Sequence, residues 1–255
     1  MKKLIMISYQ KFRMELTVSR PVDRPKFDCG IRKAILMIDM EVFMDSIIFD
    51  VDGTLWDSTD KVAVAWQKVV ERHNVPADHI TAARLKKEFG KTMVAIARSL
   101  LPDLPDDFAL KILEDCCSYE IDYLLMDSPK PYPGVTETFK SLSKKLPLFI
   151  VSNSQAGYIE AFLKITGLGD YVTDILSFGD TGNEKDSNIR EIVEKNHLKS
   201  PVYVGDTLGD LRASEAAGVP FIFCEYGFGD ITGYQAAAYI SDITDFISLC
   251  GEGND

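Results

Sequence analysis

The chain has 255 residues, 46% of them hydrophobic, enough to bury a full core in one large domain or in a domain with a sizeable insert. Its formal net charge of −11 excludes nucleic acid and an anionic membrane surface as main partners, because long-range repulsion opposes both. Any anionic ligand must be held by a locally positive site, and no apolar run approaches the ~20 residues needed to cross a bilayer.

Residues 1–43 differ in charge from the rest of the chain. They hold nine Lys and Arg against five Asp and Glu, whereas the remainder holds 19 against 34. They lack a sustained helical or strand period, and Lys2 and Lys3 precede only a very short apolar patch before Gln10 and Lys11, which argues against a secretory signal. The segment is read as an appendage outside the fold and as a candidate over-extended translation start.

From Ser46 onward, short apolar runs at 47–49, 148–151, 175–178, 202–204 and 221–224, with a weaker one at 237–240, alternate with helical patterns. Their apolar continuity predicts strands buried on both faces. Between them, Tyr158, Ile159, Phe162 and Leu163 form a helical stripe stopped by Gly167, and Leu211, Ala213 and Ala217 form another stopped by Gly218. Alternating strands and helices predict an α/β fold with a Rossmann-like parallel sheet.

One interval breaks the alternation. Residues 60–128 hold only helical pieces: Val62, Ala65, Trp66 and Val69; Leu85 and Phe89; Met93, Ile96, Ala97 and Leu100; Phe108, Ile112, Leu113 and Tyr119. Pro76, Gly90, Pro102 and Pro105 punctuate them, and the chain returns through "SPKPYPG" at 128–134. This predicts an all-helical cap domain inserted after the first strand, with the α/β core formed by 44–59 and 129–255. Inserts at such positions can close over a site at the strand ends.

The five cysteines, Cys29, Cys116, Cys117, Cys224 and Cys250, make an odd number without a CxxC pair, which reads as free thiols in a reducing cytosol. His73, His79 and His197 lie away from any candidate nucleophile and receive no role.

Parallel strands deliver their C-terminal ends to one edge, where ligands bind in open α/β sheets. Those ends carry Asp50 and Asp52 in "DVDGT", then Ser152 and Asn153, then Lys185 beyond the third strand and its loop, then Asp206 and Asp210 in "GDTLGD". Taken singly, "DVDGT" is also a strand-ending turn and "GDTLGD" a loop into a helix capped by Thr207. Together, four carboxylates on one edge repel by roughly a kcal/mol per close pair unless a cation intervenes. Hard oxygen donors without a soft partner point to Mg²⁺, which commonly shares its shell with a substrate phosphate. With Lys185 and the metal, the edge becomes locally positive and can receive a phosphoryl group. The Ser152 hydroxyl and nearby amides then orient its oxygens, and a free carboxylate can attack phosphorus.

These residues, in this order, resemble the four motifs of the haloacid dehalogenase superfamily. The helical insert resembles its type-one cap, as in phosphoglycolate phosphatase-like and β-phosphoglucomutase-like members. The resemblance covers Met44 to the C-terminus and leaves 1–43 unmatched. It implies Asp50 as nucleophile and Asp52 as general acid and base. It also implies Mg²⁺ held by Asp50, the Asp52 backbone carbonyl and Asp206, with Asp210 in support. Ser152, Asn153 and Lys185 would hold the phosphoryl group, although Asp186 follows the lysine where many relatives place proline. Lys195 is a distant competitor for that role. By resemblance to cap loops that read substrates, Lys91 in "EFGKTMVAIA" is a candidate contact for a second anionic group, its alternative being a solvated helix-start lysine.

The expected activity is Mg²⁺-dependent hydrolysis of a small phosphorylated metabolite through an aspartyl-phosphate intermediate in the cytoplasm. A phosphomutase and a catalytically silent phospholigand-binding module are the alternatives. A halide-removing hydrolase of the same fold is disfavoured because Asp52 is present.

Overall fold

The structure, a computed structural model, describes residues 44–249. The expected appendage 1–43, with Cys29, and residues 250–255, with Cys250, lie outside the described residues.

A six-stranded sheet forms the core. Its strands are β1 Ser46–Phe49, β2 Leu148–Ser152, β3 Asp174–Ser177, β4 Pro201–Gly205, β5 Phe221–Cys224 and β6 Ala238–Ile240, ordered β3-β2-β1-β4-β5-β6. All neighbours pair in parallel. The period-two alternation of strand side chains divides the core into two layers. Ile47, Phe49, Leu148, Ile150, Val202 and Val204 face one cluster, while Ile48, Phe149, Val151 and Tyr203 face the other. Helices α5 Val135–Leu142 and α6 Tyr158–Thr166 cover the first layer through Phe139, Leu142, Tyr158 and Phe162. On the opposite face lie α8 Lys185–Lys195 and α9 Leu208–Ala217, which contribute Ile189, Ile192 and Leu211.

β1, β2, β4 and β5 are buried along their whole length, as their apolar continuity predicts, but β3 is half-buried over Asp174, Ile175 and Leu176 because it forms the sheet edge. The predicted third strand also ends one residue early. Ser177 caps a short helix, α7 Phe178–Thr181, through a capping box with Asp180, so Phe178 turns out of the sheet. The expected loop before Lys185 therefore contains a helical turn, and Lys185 opens α8.

The insert is helical: α1 Thr59–Arg72, α2 Ala82–Leu85, α3 Met93–Leu100 and α4 Asp106–Met126. Here α1 packs on α4, α3 also packs on α4, and α4 reaches the core helix α6. The buried stripe of α4 runs through Ala109, Ile112, Leu113, Cys116, Cys117, Glu120 and Leu124. Phe108, expected on that stripe, is instead exposed, one position off the buried face. The chain re-enters the core where Tyr132 N–H donates to the Leu55 carbonyl at 2.9 Å.

Candidate active site

The strand order reverses on either side of β1, which lies between β2 and β4, and this switch point is where the charged side chains converge. Asp50 and Asp52 follow β1, Ser152 closes β2, Asp206 follows β4, and Asp210 lies in the first turn of α9. Asp50, Asp206 and Asp210 are all buried, and one oxygen from each lies within 4.8 Å of the other two. Lys185 reaches into this group from α8. Its ammonium donates to Asp50 Oδ1 at 3.0 Å and to Asp210 Oδ1 at 2.6 Å, and it lies over the Tyr203 ring. Lys195 points elsewhere: it is largely exposed and pairs with Asp174.

Asp206 is gripped by backbone. Phe228 N–H donates to its Oδ2 at 2.6 Å and the Thr54 hydroxyl to its Oδ1 at 3.4 Å. Gly53 adopts φ +78°, and a Cβ there would collide with the Asp206 carboxylate, so only glycine permits this approach. Asp210 is more occupied than its expected supporting role requires. Oδ1 faces Lys185, while Oδ2 accepts from the backbone and hydroxyl of Thr207 at 2.9 and 2.6 Å, the capping box that starts α9.

Burial pushes the Asp50 carboxyl up to about 7; Lys185 opposes the shift and Asp210 adds to it. Burial, with Asp210 and Asp50 alongside, likewise raises Asp206 well above the usual carboxylate range. Three crowded carboxylates against one ammonium form a donor set that fits a hard divalent cation, which would relieve the charge that burial penalises.

Asp52 has a different setting. Its Oδ1 accepts from the Tyr158 hydroxyl at 2.7 Å, the Ser58 hydroxyl at 2.9 Å and Trp56 Nε1 at 3.2 Å. Burial raises it to about 6 while these three bonds hold it down. It stands apart from the three-carboxylate group, so any part in metal binding would fall to its backbone carbonyl. The three donors were missed from sequence; Ser58 and Trp56 follow the "DVDGT" motif by a few residues, but Tyr158 is 106 positions away.

The site opens into a cavity of about 50 Å³ between core and cap, lined by Asp50, Asp52, Ser152 and Lys185 below and by Trp66, Phe89 and Glu120 among the cap residues. Asn153, expected at the phosphoryl group, turns its Nδ2 to the Gly90 carbonyl of the cap at 3.0 Å; its Oδ1 is buried without a hydrogen-bond partner. Lys91 lines the cavity too, but its ammonium pairs with Glu88 at 2.8 Å and is half-exposed, so the cap itself supplies its anion. Glu120 was also missed, although an acid on the apolar period of α4 is a legible signal.

A profile of the haloacid dehalogenase-like hydrolases matches residues 47–224. The chain belongs to that family. It is an enzyme, a phosphatase of the family. It is 28% identical over 201 residues to the phosphoglycolate phosphatase of Vibrio vulnificus, covering 71% of this chain and 84% of that one. It is 26% identical over 215 residues to the phosphoglycolate phosphatase of Aquifex aeolicus, covering 81% and 96%. Among solved structures, a haloacid dehalogenase-like family hydrolase of Streptococcus pneumoniae superposes with a TM-score of 0.70 at 18% identity, over 80% of this chain and 97% of that one. That likeness establishes the α/β fold.

Proposed function

We propose that this phosphatase hydrolyses phosphomonoesters of small metabolites with Mg²⁺, through a phosphoryl group carried on Asp50. The observation that carries the reading is the buried group of Asp50, Asp206 and Asp210 with Lys185 bonded into it, beside a separately oriented Asp52. Asp50 and Asp206 would hold the cation, with Asp210 fixing Lys185 beside it. When bound, the metal neutralises charge on the transferring group and polarises its oxygens.

In the first step an Asp50 carboxylate oxygen bonds to phosphorus as the ester P–O bond breaks, and protonated Asp52 gives its proton to the departing oxygen. In the second, Asp52 takes a proton from water, the water oxygen bonds to phosphorus, and the bond to Asp50 breaks. Inorganic phosphate leaves, with Asp50 ionised and Asp52 protonated again. A carboxyl raised to about 6 suits both duties, because either form is accessible near neutrality. Tyr158, Ser58 and Trp56 all bond Oδ1, which fixes the carboxyl while Oδ2 handles the proton. Ser152 and Lys185 would orient the phosphoryl oxygens from the core, and Asn153 would join cap to core. We place this chemistry in the cytoplasm, where the free buried Cys116, Cys117 and Cys224 stay reduced. Phosphoglycolate, the substrate in the relatives' names, is one member of the proposed class.

Turnover of acetyl phosphate and p-nitrophenyl phosphate, with Mg²⁺ and with the metal chelated, tests the reading. Hydrolysis that requires the metal and disappears in Asp50→Asn is expected; a purified wild-type protein that turns over neither compound would overturn it.

A further inference from the structure

Glu120 lies far from the motifs, on the cap helix α4, and is 3% exposed. A buried carboxyl is costly unless its oxygens are bonded, and both are. Trp66 Nε1 donates to Oε2 at 2.5 Å from α1, and Gln155 Nε2 donates to Oε1 at 3.1 Å from the loop after β2. Both donors are neutral, and burial pushes the acid up to about 8. A carboxylate offers about four lone-pair sites, so two donors leave acceptor capacity on a group that lines the substrate cavity. Apart from Lys91, the cap side chains that share this wall with it are apolar, among them Trp66, Phe89, Met93 and Ile96.

The positive charges are placed for other work. The cationic side chains lining this cavity among the described residues are Lys185 and Lys91. Lys185 is bonded to Asp50 and Asp210, and Lys91 to Glu88. A substrate carboxylate pressed against Glu120 would be desolvated beside an acid, and both ammonium groups of the cavity already bond carboxylates of the protein. A hydroxyl would donate to Glu120 at no such cost, whether Glu120 is ionised or not. A cavity of about 50 Å³ has room for a few water-sized groups, at ~10–15 Å³ each, beyond the protein atoms.

We infer that Glu120, held by Trp66 and Gln155, is the specificity-determining residue for the leaving group, selecting phosphate monoesters of small, uncharged, hydroxyl-bearing alcohols over those of hydroxy acids. This rests on the proposed phosphomonoester hydrolysis and narrows its substrate class. It also separates this chain from the substrate in its relatives' names, since glycolate carries a carboxylate. Glu120 would take no part in bond breaking; it would act through the hydrogen bond that holds the leaving group under the closed cap.

A matched pair of substrates tests it. Glycerol 3-phosphate and 3-phosphoglycerate share one carbon skeleton and differ in a terminal CH₂OH against a carboxylate. With the full chain and Mg²⁺, kcat/KM for glycerol 3-phosphate should exceed that for 3-phosphoglycerate by at least about tenfold, since a site built to bond a hydroxyl discriminates strongly against its absence. Glu120→Gln, which places an amide donor where the acid was, should bring the ratio to near unity or invert it. If Glu120→Gln does not fold, Glu120→Met reads the same ratio with the acceptor removed. A wild-type preference for 3-phosphoglycerate, or a ratio unchanged by either variant, overturns the inference while leaving the phosphatase reading intact. Failure of the wild type on acetyl phosphate as well would bring down both.

Discussion

Lys185 Nζ lies 3.0 Å from Asp50 Oδ1, and both side chains are buried at the switch point of the sheet. The proposed nucleophile thus sits against the one ammonium that also bonds Asp210. Removing one partner of a buried ion pair leaves an uncompensated charge, which costs about 3–5 kcal/mol. Lys185→Met should therefore lower the melting temperature clearly and abolish detectable turnover, with Mg²⁺ restoring part of the stability. A variant that melts like the wild type would show that Lys185 is not compensating these carboxylates.

The two motif aspartates should fail differently. Asp50→Asn removes the oxygen proposed to attack phosphorus and should leave no turnover in a folded protein. Asp52→Asn removes the proposed proton transfer and should slow hydrolysis of esters with poor leaving groups by ~10²–10⁴-fold. Acetyl phosphate, whose leaving group needs less help, should be less affected in the first step. An equal fold loss for a poor-leaving-group ester and for acetyl phosphate in Asp52→Asn would remove Asp52 from the acid role.

Tyr158 donates to Asp52 and lowers its pKa, against the upward pull of burial. Tyr158→Phe keeps the ring that packs on Trp56 and removes the bond. In its proposed role Asp52 is protonated when a poor leaving group departs, so the rate should fall as pH rises through its pKa near 6. Losing one bond to the ionised form raises that pKa, so the alkaline limb of the pH–rate profile should move upward in Tyr158→Phe. A downward or absent shift in kcat against pH would contradict this.

Glu120 gives stability a pH dependence. Its folded value, about 8, is raised above the ordinary 4.5, so the folded state holds a proton that the unfolded chain has released. The contribution is fully present below pH ~4.5 and is lost as pH rises through 8. Asp50, at about 7, acts in the same direction and remains in both proteins being compared. The fall in melting temperature between about pH 6 and about pH 9 should accordingly be smaller in Glu120→Gln than in the wild type. Identical falls in the two would show that Glu120 is ionised throughout.

Asn153 and Gln155 join the loop after β2 to the cap, at the Gly90 carbonyl and at Glu120. If residues 60–128 close as a lid hinged near 58–60 and 129–133, then Mg²⁺ plus a phosphate mimic should protect amides around Gly90 from hydrogen exchange more than either alone. Asn153→Ala should reduce that protection. Equal exchange in all states would exclude the lid.

Much of this protein was determined locally. Apolar runs buried on both faces defined the strands, and proline and glycine punctuation marked the helical insert. The strand ends placed Asp50, Asp52, Ser152 and Asp206 on one edge, because parallel strands point the same way, whereas Lys185 arrives from the start of α8. Local capping chemistry also overruled a reading: Phe178 looks like strand until Ser177 and Asp180 are seen to close a helix start. Only the tertiary structure decided how the carboxylates differ. Asp50 and Asp52 are two residues apart, yet one meets Lys185 from α8 and the other Tyr158 from α6. It also decided that Asn153 and Lys91 bond cap groups, and that Glu120 faces the cavity. Hydrophobic period is a property of neighbouring residues, whereas pKa and specificity arise from groups that folding brings together from distant parts of the chain.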